Sequence, residues 1–183
     1  MRRLALIALP LALAACSQEP AEQTADEIAD ETAATDAGQQ RPTDLDLSAN
    51  GITIPAQGDF EQLDVPFGSM RAATETTLAN VLGEATEQGG EPNECGLTFT
   101  SFPGFTANFR DDEFVGYWAE EPYVPALDRA TMLEDPAVEP IESTLDGEFM
   151  ITRNGQAISG IFSGEGDDAT VARLWAGENC IAR

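Results

Sequence analysis

The chain has 183 residues, with 33 acidic residues against nine basic ones and a formal net charge of −24. It contains no histidine and no lysine, which excludes a Ser-His-Asp triad, an imidazole metal site, a Schiff base and a P-loop lysine. The charge disfavours nucleic acid and anionic headgroups as partners. We therefore expect a protein that is not an enzyme and has no cofactor and no metal site. Carboxylate-based hydrolysis and oxygen-ligated metal remain the chemistry open to such a chain.

The N-terminus has the pattern of a bacterial secretion signal. Two arginines precede an apolar run over residues 4–13, too short to span a bilayer core, which needs roughly 20 residues. The run ends in Leu13-Ala14-Ala15-Cys16, which resembles the lipobox of bacterial lipoproteins. The resemblance implies a signal peptide over residues 1–16, a lipid on the retained Cys16, and anchoring in the cell envelope, with the periplasmic side of the outer membrane favoured. An ordinary signal with an incidental cysteine is the alternative.

The next segment differs in composition from the rest of the chain. Residues 17–46 are mostly Ala, Glu, Asp, Thr and Gln, and cannot bury enough surface to offset the entropy of ordering. We predict a disordered acidic tether there. Residues 47–183 are long enough for one globular domain with its own core.

Two cysteines remain for the domain, Cys95 and Cys180. In an oxidising envelope compartment, an even pair predicts one disulfide. Because the two residues are 85 positions apart, the loop-entropy model gives the bond roughly 4 kcal/mol of stabilisation. Two free thiols are the alternative.

The chain contains one predicted helix and two predicted hairpins. Residues 70–82 have apolar side chains at helical spacing, with Ser69 as the expected N-cap and Gly83 as the stop. Asn154-Gly155 predicts a type I′ hairpin. Its register pairs Ile151 with Ile158, and Phe149 with Gly160.

A second hairpin is predicted to turn at Asp111-Asp112. Its register sets Phe109 against Phe114, Ala107 against Gly116, and Phe105 against Trp118. Tyr117 then faces away from the other aromatic side chains. Further strands are predicted at residues 97–102 and 170–176.

These elements predict an α+β fold of antiparallel β-meanders with one or two helices packed on one face. The similar spacing around the two hairpins indicates two pseudo-repeats, with chance similarity as the alternative. The layout over residues 65–120 is similar to helix-plus-antiparallel-sheet envelope lipoproteins and to the repeats of β-lactamase inhibitor proteins. That resemblance implies a binding or scaffolding role, although architecture alone does not determine function.

Between the hairpins, residues 120–143 hold four prolines, which predict a loop-rich crossover with a short helix within 127–134. We expect Tyr123, Val124 and Met132 to be partly exposed. The acidic stretch 44–50 imitates the start of a calcium loop, and a second acidic stretch, 165–168, lies where a hairpin loop is expected. The first lacks the glycine and the glutamate of such a loop, and the second is explained by a solvated turn.

We interpret the chain as a lipid-anchored envelope protein that contacts another envelope protein, with residues 117–124 as the contact surface. A binder of divalent cations or small ligands is the alternative, followed by a carboxylate-based hydrolase.

Overall fold

The computed structural model of the chain describes residues 44–58 and 60–181, all within one compact unit, Gln39–Arg183. These residues form mainly antiparallel β-sheet with two helices, which confirms the α+β class in its broad form. The predicted signal peptide, Cys16 and most of the predicted tether lie outside the described residues. No helix in the described part of the chain is long and apolar enough to cross a membrane.

A small sheet comes first in the chain. It consists of β1 (Asp46–Ser48), β2 (Gly51–Ile54) and β3 (Leu63–Pro66), paired in that order. The predicted tether extends to residue 46, but Leu45 is buried in the core and Asp46 begins β1. The folded part therefore begins before residue 47.

The remaining strands form one eight-stranded antiparallel sheet. In chain order they are β4 (Glu87–Gly89), β5 (Thr98–Phe102), β6 (Phe105–Arg110), β7 (Glu113–Ala119), β8 (Val138–Pro140), β9 (Glu148–Arg153), β10 (Gln156–Phe162) and β11 (Val171–Gly177). Their order across the sheet is β4-β5-β6-β7-β11-β10-β9-β8, so β7 and β11 pair near its centre. The helices are α1 (Arg71–Leu82) and α2 (Arg129–Leu133).

The predicted helix is present as α1, with its C-terminal end as predicted and a different N-cap. Gly83 ends it as expected, with a φ of 94° and its N–H donated to the Ala79 carbonyl. The predicted N-cap is wrong, because Met70 occupies that position without a side-chain cap. The Ser69 hydroxyl donates instead to the Pro66 carbonyl at 2.7 Å, within the preceding turn.

The β9–β10 hairpin confirms the register predicted from Asn154-Gly155. Both turn residues have positive φ, 53° and 75°, as a type I′ turn requires. The predicted pairs are both present, Ile151 with Ile158 and Phe149 with Gly160.

The β6–β7 hairpin turns at Asp111-Asp112 as predicted, and Phe109 pairs with Phe114, but the register then shifts by one residue. The bulge places Ala107 opposite Tyr117. The predicted pairs of Ala107 with Gly116 and of Phe105 with Trp118 are therefore wrong. Tyr117 enters the core with none of its surface exposed, and Trp118 points to the opposite face of the sheet.

The chain that follows β11 accounts for this bulge. The Glu178 N–H donates to the Val115 carbonyl at 2.9 Å, and the Glu178 backbone lies against Gly116 so closely that a Cβ there would overlap it. Val115 is the residue of β7 that does not pair with β6, and its carbonyl accepts the Glu178 N–H instead. The bulge therefore connects the C-terminal segment to β7.

The core consists of two apolar clusters. The first contains Leu78 of α1, residues of the small sheet and the aromatic side chains Phe105, Phe109, Phe114 and Tyr117. The second contains Met132, Val138, Phe149, Phe162, Val171 and Leu174. Met132 is buried, so its predicted exposure is wrong.

Candidate binding groove

An apolar groove of about 640 Å³ lies where the two clusters meet. It is lined by β1, the loop over residues 122–127, α2 and the β9–β10 hairpin. Leu47, Val124 and Ile158 line it and pack against both clusters. Its size falls in the range of about 300–1,000 Å³ that is common for ligand pockets. We call this feature the apolar groove.

Hydrogen bonds fix two of its walls. The Tyr117 hydroxyl donates to the Ser48 carbonyl at 2.9 Å and so ties β1 to the large sheet. The Tyr123 N–H donates to the Glu120 carbonyl at 2.8 Å, which closes the turn at the start of the loop. Each of these two hydrogen bonds stabilises its wall by about 1 kcal/mol.

The third wall depends on how α2 begins. The Asp128 carboxylate accepts the Thr131 N–H at 2.8 Å, and this bond lowers the pKa of Asp128. The Arg129 N–H donates to the Ala169 carbonyl and holds the helix against the loop before β11. Met132 is thereby directed into the second cluster, and Leu127 remains 45% exposed at the groove edge.

The rim of the apolar groove is acidic. Asp44 and Asp46 are exposed there, and Asp135 bonds Arg153 at 2.6 Å. The pKa of Asp135 is lowered mainly by the Ala137 N–H that its carboxylate accepts, and further by Arg153. Asp135 is therefore ionised and paired at neutral pH.

The field of the rim reaches into the groove. Burial raises the pKa of Tyr123, and the negative charge of Asp44 raises it further. A charge that disfavours a phenolate in this way also attracts a cation. The groove thus combines an apolar interior with a negative potential at its opening.

The predicted disulfide is confirmed. Cys95 and Cys180 are bonded, with their Cα atoms 5.7 Å apart. The bond links the segment before β5 to the segment after β11, and Arg110 reinforces the link by donating to the Glu178 carboxylate and the Cys95 carbonyl. This cluster lies apart from the apolar groove, whose lining includes none of these residues.

The two acidic stretches lie in different parts of the fold. Residues 44–50 run along β1 into its turn, where the Ser48 hydroxyl donates to the Gly51 carbonyl. Residues 165–168 lie between β10 and β11, and Asp167 faces Arg129 at 3.8 Å. Within residues 44–58 and 60–181, no group of three or more His, Cys, Asp or Glu side chains is arranged to hold a metal ion.

The predicted contact surface, residues 117–124, is divided by the fold. Tyr117 is buried, whereas Tyr123 and Val124 line the apolar groove. Trp118 of β7 lies opposite Trp175 of β11, on the face of the sheet away from the apolar groove. The Arg173 guanidinium lies 4.8 Å from the centre of the Trp118 ring. Trp175 is 6% exposed.

Comparison of the chain with protein families, with curated proteins and with solved structures found no match. The groove is therefore the feature of this chain from which a function can be inferred. The sequence predicts Tyr123 and Val124 at the surface but does not predict that Leu47, Ile151 and Ile158 lie beside them. Those residues come from three distant parts of the chain, and a local pattern does not show that they meet.

Proposed function

We propose that this chain is a lipid-anchored, non-enzymatic binding module of the bacterial cell envelope, and that it holds a segment of another envelope protein in the apolar groove. The observation that carries the proposal is the groove, an open apolar surface built on hydrogen-bonded walls. Apolar concave surfaces of this kind are where proteins bind ligands and partners.

Two features support an envelope location. Leu13-Ala14-Ala15-Cys16 resembles a lipobox, although it lies outside the described residues. The Cys95–Cys180 disulfide is typical of proteins that fold in an oxidising compartment. Metabolic labelling with an alkyne fatty acid tests the anchor. Label on the wild-type chain that disappears in Cys16→Ser is the expected result, and equal label in both would refute it.

We also infer that the large sheet consists of two structural repeats, each a helix followed by a four-stranded meander. Support comes from the order of the strands, in which β4 to β7 and β8 to β11 each run consecutively and meet through their last members. Both helices contribute to the core, Leu78 to the first cluster and Met132 to the second. We infer from these contacts that both helices pack on one face of the large sheet.

Site-specific photo-crosslinking in cells tests the binding role. A photoreactive residue at Leu127, at the groove edge, should give one dominant adduct with another envelope protein. The matched control is Met70, another apolar side chain, which is 71% exposed and does not line the groove. Equal adduct patterns from both positions would argue against the groove as the contact surface.

A small apolar ligand is the second candidate, favoured by the volume of the groove. It predicts that organic extraction of protein purified from the envelope releases a bound molecule, and that Leu127→Asp protein releases less of it.

A further inference from the structure

We propose that the apolar groove selects a basic-apolar polypeptide segment, one in which bulky apolar side chains are flanked by arginine or lysine. The inference rests on the proposed function and specifies the chemistry of the partner. It combines the apolar interior of the groove with the charges around its opening.

The interior sets the apolar part of this requirement. Leu47, Val124 and Ile158 are half-buried, and Leu127 is exposed beside them. An occupant that covers these side chains removes apolar surface from water on both partners, and this drives association. A purely hydrophilic cation gains nothing from this part of the groove.

The rim sets the charge of the occupant. Each arginine in the described part of the chain already pairs with a carboxylate: Arg71 with Glu75, Arg110 with Glu178, Arg129 with Asp167, Arg153 with Asp135 and Arg173 with Glu120. None of these five pairs involves Asp44 or Asp46. An anionic amphiphile therefore meets repulsion at the opening, and a cationic one is attracted.

The polar groups at one end of the groove favour a polypeptide. Asn154 and Gln156 are exposed on the β9–β10 hairpin where it borders the groove. Their side-chain amides carry both donors and acceptors, which match the N–H and carbonyl groups of a peptide backbone. A simple cationic lipid or detergent offers no such alternation of donors and acceptors.

Fluorescence anisotropy with three labelled nine-residue peptides tests the proposal. One peptide alternates Leu and Arg, one Leu and Ser, and one Ser and Arg. The protein is the full chain carrying Cys16→Ser, which removes the only cysteine outside the disulfide. We expect the Leu/Arg peptide to bind at least about tenfold more tightly than either of the others, because only it satisfies both requirements.

Two double variants test whether the carboxylates at the rim cause the preference for the Leu/Arg peptide. Asp44→Asn with Asp46→Asn should weaken Leu/Arg binding about fivefold and leave Leu/Ser binding unchanged. Asp111→Asn with Asp112→Asn removes the same charge at the β6–β7 turn, outside the groove, and should change the affinity less than about twofold. Leu127→Ser should weaken both leucine peptides, and its melting temperature shows whether the fold is intact.

The outcomes distinguish the selection for a cationic segment from the proposed binding role. Equal binding of the Leu/Ser and Leu/Arg peptides would overturn the selection for a cation and leave the binding role standing. The inference would be overturned if the Ser/Arg and Leu/Arg peptides bound equally. It would also be overturned if the two double variants lost equal affinity for the Leu/Arg peptide, because either result shows non-specific attraction. Failure of both leucine peptides to bind would overturn the inference and count against the proposed function as well.

Discussion

Gly116 of β7 lies directly opposite Gly177 of β11, at the junction of the two four-stranded halves of the large sheet. A Cβ on Gly116 would overlap the Glu178 backbone, and a Cβ on Gly177 would overlap the Val115 carbonyl. The two halves can pair at this point because neither strand carries a side chain there. The disulfide at Cys180 then fixes the chain that follows.

Gly116→Ala should lower the free energy of unfolding by about 2 kcal/mol, because the backbone must move to accommodate the methyl group. Urea denaturation measures the change. Gly90→Ala is the matched control, since a Cβ at Gly90 meets nothing within 4 Å. A loss of stability in Gly90→Ala as large as that in Gly116→Ala would mean that close packing is not the cause.

The disulfide should contribute roughly 4 kcal/mol to stability, since it closes a loop of 85 residues in the unfolded chain. Reductant should therefore lower the melting temperature of the wild-type chain sharply. The Cys95→Ser, Cys180→Ser double variant should melt at the lower temperature with and without reductant. If the wild-type chain melts at the same temperature in both conditions, the bond does not stabilise the fold as described.

The two tyrosines should make stability depend on pH in the alkaline range. Burial raises the pKa of Tyr117 above its ordinary value of 10.0, and burial with Asp44 raises that of Tyr123. The folded state disfavours the two phenolates. The stability that the neutral tyrosines contribute is therefore fully present below pH 10.0 and is lost as the pH rises beyond that value. The chain has no lysine, so few other groups titrate there.

Denaturation at a series of pH values checks this expectation. Tyr117→Phe with Tyr123→Phe removes both tyrosines of the chain and should flatten the alkaline decline. Tyr117→Phe alone should also lower stability at neutral pH by about 1 kcal/mol, because the bond to the Ser48 carbonyl is lost. An alkaline decline that is unchanged in the double variant would assign it to other groups.

Local sequence patterns predicted the elements whose geometry is set locally. Asn154-Gly155 dictated a type I′ turn, and the turn fixed the register of β9 and β10. Gly83 ended α1 for the same kind of reason, since its backbone conformation suits glycine.

Long-range contacts decided the features that the sequence did not predict. The bulge that buries Tyr117 depends on Glu178, whose N–H bonds the Val115 carbonyl from a segment far along the chain. The apolar groove depends on β1 meeting the β9–β10 hairpin, about a hundred residues apart. Neither contact leaves a signal in the local spacing of apolar residues.

The most direct test of the binding role is a nitrogen-15 NMR titration of the Cys16→Ser chain with the Leu/Arg peptide. We expect the amide shifts to cluster at Leu47, Ile151 and Ile158, which line the apolar groove. Shifts that cluster at Trp118 and Trp175, on the other side of the sheet, would refute this expectation and place binding on that face.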